Sequence, residues 1–333
     1  MKAKNRRLAL QDIADQVGVT KMTVSRYLRA PDQVSKATGE KIQKVIDEVG
    51  YVASRVPDIL SNATSKAIGI VVPSLSNQVF SAVVQGIENI TEPAGYQTMI
   101  AHYGYDKEVE EKRIESMLSY HVDGLILSEC DHTEKSLRMI ANAGIPVVEV
   151  MDSRLPPIDL SVGLDHQIAS EAMLRKMISR GKKNIVFFAA RMDVRVRQRL
   201  TGYQSIMKEL GIEPVVLSTE EHSSFTLGKE LMTQALNQYP TLDGVFCCND
   251  DLGIGAILEC QRRNIAIPNQ IAIAGFNALD IGKAIHPNLA SVSTPRKAIG
   301  ETAAQMLLDK LTGKKVGENV VDLGFSIFEG ESI

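Results

Sequence analysis

Two groups of residues in this sequence have types and spacings suited to chemistry with a partner. The first lies in VGVTKMTVSRYLR, residues 17 to 29. Thr20 is placed to cap a helix running to about Arg29, because its hydroxyl can accept from backbone N–H groups two or three residues on. Val24 and Leu28 give that helix a narrow inward seam, which leaves Lys21, Met22, Ser25, Arg26 and Arg29 largely on the other side. Lys21, Met22 and Arg26 suit the edges of DNA bases, and Thr23 or Ser25 a phosphate. The second group is dispersed, each member following an apolar burst. It comprises Ser74, Asn77 to Phe80, His102, Tyr103, Ser128, Glu129 and Asp152, then Arg191, Asn249, Asp250 and Asn277. Hydroxyls, amides, carboxylates and an Arg beside an aromatic ring are what a polyhydroxylated small molecule needs. Singly, each is an ordinary wet loop residue; as a set they describe a cleft.

The first group needs a small helical scaffold. Upstream, Ile13, Ala14 and Val17 fall at helical spacing, and Gly18 permits the sharp turn before Thr20. Two short helices joined by such a turn form a helix-turn-helix unit, whose second helix enters the major groove by its first residues. Ile42, Val45, Ile46 and Val49 predict a third helix ending at Gly50. Three short helices make a very small core.

The second group needs sheets. Segments 67–73, 96–103, 122–129 and 145–152 are short, β-branched and bounded by Gly, Pro or Asp, as buried parallel strands are. Helical stretches at 77–91, 106–120 and 133–143 separate them. A second series follows at 184–190, 214–218, 243–250 and 271–276. The alternation predicts two doubly wound α/β lobes in tandem. Ligands bind beyond the carboxyl ends of such strands, so the polar set would line a cleft between the lobes.

Charge divides the chain in the same way. Residues 1–66 hold 12 Lys and Arg against 7 Asp and Glu, a net of +5, while the rest holds 25 against 33, a net of −8. A basic patch, not the whole-chain charge of −3, decides attraction to phosphate. With 333 residues the chain suits a small head and two larger lobes. No eighteen-residue apolar run predicts a membrane span, and the basic N-terminus has no signal-peptide apolar core, so a cytoplasmic, nucleoid-associated protein is expected. The four Cys show no C-x-x-C spacing and the six His no H-E-x-x-H, so neither a disulfide framework nor a metal site is expected. G-I-G at 253–255 lacks the third Gly of a dinucleotide fingerprint, and no cofactor is expected. Adjacent Asp250 and Asp251 read as helix-start caps rather than an acid/base pair. An enzyme is not the reading.

The head DIADQVGVTKMTVSRYLR, the strand-end stretches VVPSLSNQVF, VDGLIL, IPVVEVMD, DGVFCCNDDLGIGA and IAIAGF, and LASVSTP together resemble the LacI/GalR family of bacterial repressors, over essentially the whole chain. PDILSNATS, GYQTMIAHYGYD and VDLGFSIFEGESI are similar to its gluconate and idonate subgroup. The resemblance implies a helix-turn-helix head at 1–52, a hinge helix and linker at 53–65, and a two-lobed, periplasmic-binding-protein-like core at 66–333. It implies a first lobe of about 66–160 with 295–320 and a second of about 161–292 with 321–333. It further implies a homodimer on palindromic operator DNA whose affinity is controlled by a small effector, here a sugar acid such as gluconate that lowers it, the alternatives being a neutral sugar or a corepressor. Lys21, Met22 and Arg26 match the family's base-reading positions. Tyr51 opens the hinge stretch and Leu60 matches its minor-groove wedge. Ala9 replaces a usual Thr, and Ala53-Ser54 and Pro57-Asp58 depart from the usual hinge, which Pro in a first helical turn still allows. Asn77, Phe80, Asp152, Asn249 and Asn277 match effector positions, and Arg199 matches the effector-clamping Arg, whose fork suits a carboxylate. Arg195 and Arg197 read as partly solvated charges on a helix face.

Overall fold

The structure, a computed structural model, describes residues 8–54, 59 and 64–333. The chain divides into two compact units, Met1–Ser65 and Lys66–Ile333. Leu60 and most of the expected hinge helix lie outside the described residues.

The first unit contains α1 (Leu10–Val17), α2 (Lys21–Arg29) and α3 (Lys36–Val49). Ile13, Ala14, Val24 and Ile42 are fully buried and form its core. Ala9 starts α1 without a side-chain oxygen of its own; instead its backbone N–H donates to Asp12 Oδ2 at 2.7 Å. Gly18 closes α1 at φ 74°, a region that Gly enters without a Cβ penalty. One expectation for α2 fails. Leu28 is 37% exposed, and Tyr27 takes the inward place. The Tyr27 ring lies where a Cβ on Gly39 would stand, at 2.9 Å, and its hydroxyl donates to Gln43 Oε1 at 3.0 Å. A small residue on α3 thus admits a large one from α2, which the spacing of α2 alone does not reveal.

The second unit holds two six-stranded sheets. The first has β1 (Ala67–Val72), β2 (Gln97–His102), β3 (Gly124–Leu127), β4 (Val147–Asp152), β5 (Leu160–Leu164) and β11 (Val320–Asp322), in the order β11-β5-β4-β3-β1-β2, all parallel. The second has β6 (Ile185–Ala190), β7 (Val215–Thr219), β8 (Gly244–Cys247), β9 (Ala272–Asn277), β10 (Ala290–Ser293) and β12 (Ser326–Phe328), in the order β12-β10-β9-β8-β6-β7, with only β12 antiparallel. Every residue of β4, β6 and β9 is buried, as strands covered by helices on both faces must be.

Helices α4 (Gln78–Thr91), α5 (Lys107–Ser119) and α6 (Glu134–Ala143) cover the first sheet; α7 (His166–Ser179), α8 (Val194–Glu209), α9 (Phe225–Gln238), α10 (Asp250–Arg262) and α11 (Asp280–Ala284) belong with the second. The last, α12 (Arg296–Leu311), returns to the first lobe and packs on α4. The chain therefore passes between lobes three times. The first lobe runs beyond the expected 160, because β5 pairs with β4, and beyond the expected 320, because all of β11 pairs with β5.

Candidate functional site

On the head, Thr20 caps α2: its Oγ1 accepts from Thr23 N at 3.2 Å and lies 2.9 Å from Thr23 Oγ1. Thr23 is thus engaged in the cap and half-buried, as is Ser25. Lys21, Met22, Arg26 and Arg29 are exposed, Met22 at 70%. An exposed thioether between cations on one short helix is poor packing and good groove chemistry. Tyr51 is half-buried beside the helical core.

In the second unit the strand ends of the two lobes meet around a cleft of about 780 Å³, lined among others by Ser74, Asn77, His102, Tyr105 and Arg191. A small inner chamber continues from it, walled by Asn77, Phe80, Arg191, Arg199, Asn249 and Asn277 of the expected set, and by Tyr105, Met151, Asp193 and Arg195. Four of these wall residues, Tyr105, Met151, Arg191 and Asn277, have φ between 62° and 107°. Non-glycine backbone in that region is strained and is retained mainly where function fixes it.

Each side chain is positioned by an element end. Asn77 caps α4, its Oδ1 accepting from Val79 N at 3.0 Å, and its Nδ2 donates to the Tyr105 hydroxyl at 3.3 Å. The Arg191 guanidinium lies 4.1 Å from the Tyr105 ring centre. Arg199 is 4% exposed and stacks on Phe276 at 3.7 Å. Its Nη1 donates to the Cys248 carbonyl at 2.5 Å and to Asn249 Oδ1 at 3.1 Å. Its Nε meets His166 Nδ1 at 3.3 Å. His166 Nε2 lies 2.7 Å from the Met151 carbonyl, which accepts only, so the proton sits on Nε2 and Nδ1 accepts. Burial, then the neighbouring Arg199, hold His166 well below the usual imidazole range. Burial also lowers Arg199, to about 10. Asn277 Nδ2 donates to Asn249 Oδ1 at 3.2 Å, tying the two amides into one surface.

Other expected residues sit differently. Ser74 turns back on its own loop, its Oγ accepting from Asn77 N at 3.2 Å. His102 is exposed and lines only the outer cleft. Asp152 bonds its own loop, Oδ1 accepting from Arg154 N at 2.7 Å. Glu129 lies buried behind the chamber wall, its Oε2 accepting from the Tyr103 hydroxyl at 3.2 Å. Asp250 is not a cap: it is fully buried, accepts from Ser291 Oγ and Leu279 N, each at 2.6 Å, and so anchors the loop after Asn277.

Arg195 overturns its expectation. It is 5% exposed rather than solvated, and its Nη1 donates to the Ser128 carbonyl of the other lobe at 2.6 Å. Arg197 is exposed, as expected. Sequence reasoning also missed Tyr105, His166 and Asp193. Tyr105 carries a signal, an aromatic within HYGYD after β2; a lone His or Asp at a helix start carries none. Among the described residues no group of three or more His, Cys, Asp and Glu could hold a metal, and no helix is long and apolar enough to cross a membrane.

Residues 65–323 match the periplasmic binding proteins and sugar binding domain of the LacI family, and residues 9–54 the bacterial regulatory proteins of the lacI family. The HTH-type transcriptional regulator GntR of Escherichia coli (strain K12) is 52% identical over 330 residues, 99% of this chain and 100% of that protein. The HTH-type transcriptional regulator IdnR of the same strain is 45% identical over 331 residues, 99% of this chain and 100% of that protein. A LacI family transcriptional regulator from Silicibacter pomeroyi, 32% identical, superimposes with a TM-score of 0.92 over 98% of this chain and 99% of its own. The likeness spans head and core alike: the chain belongs to the LacI family of bacterial regulatory proteins and is a DNA-binding transcriptional repressor, not an enzyme.

Proposed function

We propose that a sugar acid such as gluconate or idonate binds between the core lobes of this repressor and lowers its affinity, as a homodimer, for a palindromic operator. One observation carries the ligand class. Three guanidinium groups, of Arg191, Arg195 and Arg199, line one chamber in which Asp193 is the only carboxylate among the described lining residues. The remaining polar wall is the amides of Asn77, Asn249 and Asn277 and the Tyr105 hydroxyl, suited to a polyol. Asp193 in the wall and Glu129 behind it are two carboxylates facing three guanidiniums, so an anion adds a charge that this cationic wall favours and a neutral sugar does not. Arg191 Nε and Arg195 Nη2 are buried without a hydrogen-bond partner, so two donors are ready for a carboxylate. The similarity to GntR and IdnR supports the same ligand class.

Control of the operator then follows from population shift: the anion favours one lobe arrangement by its differential affinity, typically worth ~1–3 kcal/mol of coupling. The test is calorimetric titration of the full chain with gluconate, idonate and their keto derivatives, paired with gel retardation on operator DNA. Sugar acids should bind, and should release operator, far below the concentration at which glucose does. Glucose binding more tightly, or a sugar acid strengthening operator binding, overturns the ligand class or the sense of control respectively.

A further inference from the structure

Arg195 stands at the first turn of α8 in the second lobe, and the groups that hold it belong to the first. Its Nη1 donates to the carbonyl of Ser128, just beyond β3, at 2.6 Å. Its Nη2 faces Glu129 Oε2 at 3.6 Å, an ion pair but too long for a hydrogen bond. Arg195 Nη2 and Glu129 Oε1 are both buried with no hydrogen-bond partner. Two other buried charged groups are held at hydrogen-bond distance. Buried Glu259 receives Arg262 and Arg263 at 2.6 to 2.8 Å, and buried His132 reaches Glu110 and Glu149 at 3.0 and 3.1 Å. A buried pair kept only for stability needs its remaining donors and acceptors satisfied, or desolvation outweighs the attraction. This pair is left open, and Arg195 also forms part of the chamber wall.

We propose that Arg195 is an interlobe latch for which the bound anion competes: in the arrangement seen here Ser128 and Glu129 hold it, and the ligand carboxylate replaces Glu129 as its counter-ion. The inference rests on the anionic ligand proposed above. A carboxylate arriving at Nη2 meets Glu129 across the same guanidinium, and two like charges sharing one buried cation repel. Either Glu129 retreats or the ligand leaves. Its retreat loosens the tie between α8 and the end of β3, so the ligand makes a contact in one lobe arrangement that it cannot make equally in the other. Tyr103, donating to Glu129 Oε2, ties that carboxylate to the first lobe, so Glu129 and Arg195 part as the lobes do.

The experiment uses the full-length chain and the variants Glu129→Gln, Arg195→Gln and the double substitution. Gluconate affinity is read by calorimetry, and hydrogen exchange of residues 124–132 and 194–199 is read without ligand. Removing the competing charge should tighten gluconate binding by Glu129→Gln about tenfold, and Arg195→Gln should weaken it by at least about tenfold. The gain from Glu129→Gln should vanish when Arg195 is already Gln. A role in stability alone predicts no gain for Glu129→Gln, so unchanged or weaker binding there, or a gain that survives in the double variant, overturns the competition. Exchange separates the two readings. Arg195→Gln should speed exchange at 124–132 whatever the ligand is, and unchanged exchange overturns the latch. A wild type that binds none of the sugar acids while the variant still exchanges faster overturns the ligand class, and with it the competition, but not the latch.

Discussion

Arg199 is more fully held than a residue whose whole fork serves a ligand. One end bonds the Cys248 carbonyl and Asn249, and the other leans on His166, which in turn donates to the first lobe at Met151. A Lys there keeps the charge but cannot span carbonyl, amide and imidazole at once. Arg199→Lys is therefore expected to cost about 1–3 kcal/mol of gluconate affinity in a calorimetric titration, with operator still bound but released only at higher gluconate. Glucose, the control, should bind both proteins equally poorly, and an unchanged gluconate affinity would remove Arg199 from the site. Its place was legible because RVRQRLTGY matches a family pattern. That of Arg195 was not: four residues earlier on the same helix, it is buried only because the other lobe covers it, and no local spacing encodes a neighbour from a distant segment. His132 shows the same limit. Burial opposes its charge, but the hydrogen bonds it donates to Glu110 and Glu149 outweigh that and raise its pKa from 6.5 to about 10. A raised pKa stabilises the fold fully below the unfolded value and progressively less as pH rises through the folded one. The melting temperature of wild type relative to His132→Gln should thus decline between pH 6.5 and about 10. A constant difference across that window would show that His132 is not charged in the fold.

At the scale of elements, patterns that need only their own residues were read well and those that need a partner were not. The eight expected strands are present because each lies in a bounded, mostly apolar burst of its own. β5, β10, β11 and β12 were missed: LSVGL and ASVS are short and part polar, and β11 and β12 have three residues each. They become strands because a neighbouring edge accepts them. On α2, Arg26 is exposed on the face opposite buried Val24. Arg26→Ala should weaken specific operator binding by about 1–3 kcal/mol and relax base preference, with gluconate affinity unchanged; retardation equal to wild type would exclude α2 as the reading helix. The pairing of α4 with α12 depends on two glycines that no periodicity flagged. A Cβ on Gly300 would stand 2.1 Å from the Val83 carbonyl oxygen, and one on Gly86 2.2 Å from that of Lys297. Backbone cannot swing aside as a side chain can, so Gly300→Ala must part the helices and should cost about 1–3 kcal/mol or more in urea unfolding of the core. Gly317→Ala, where a Cβ meets nothing within 4 Å, is the control and should leave the midpoint nearly unchanged.

Over the whole molecule, charge is partitioned as the work is. The first 66 residues carry +5 and the remaining chain −8. A core of that sign repels the DNA backbone, so the cations of the head must supply the phosphate neutralisation, and each one used releases condensed counter-ions. The logarithm of operator affinity should then fall steeply and linearly with the logarithm of salt concentration. Lys21→Gln, if that side chain meets phosphate, should reduce the slope by about one per head, hence about two per dimer, whereas a contact to bases alone would cost affinity with little change of slope. Lys208→Gln, an exposed cation on α8 of the core, should leave slope and affinity as they are. The proposed effector binds in the core and not the head, and would act through shape rather than charge screening. Saturating gluconate should therefore lower operator affinity by a similar factor at every salt concentration, shifting the line downward in parallel. Lines that converge as salt rises would show that the anion acts by neutralising or blocking the DNA-binding surface itself, and the two-lobed cleft would lose its place in control.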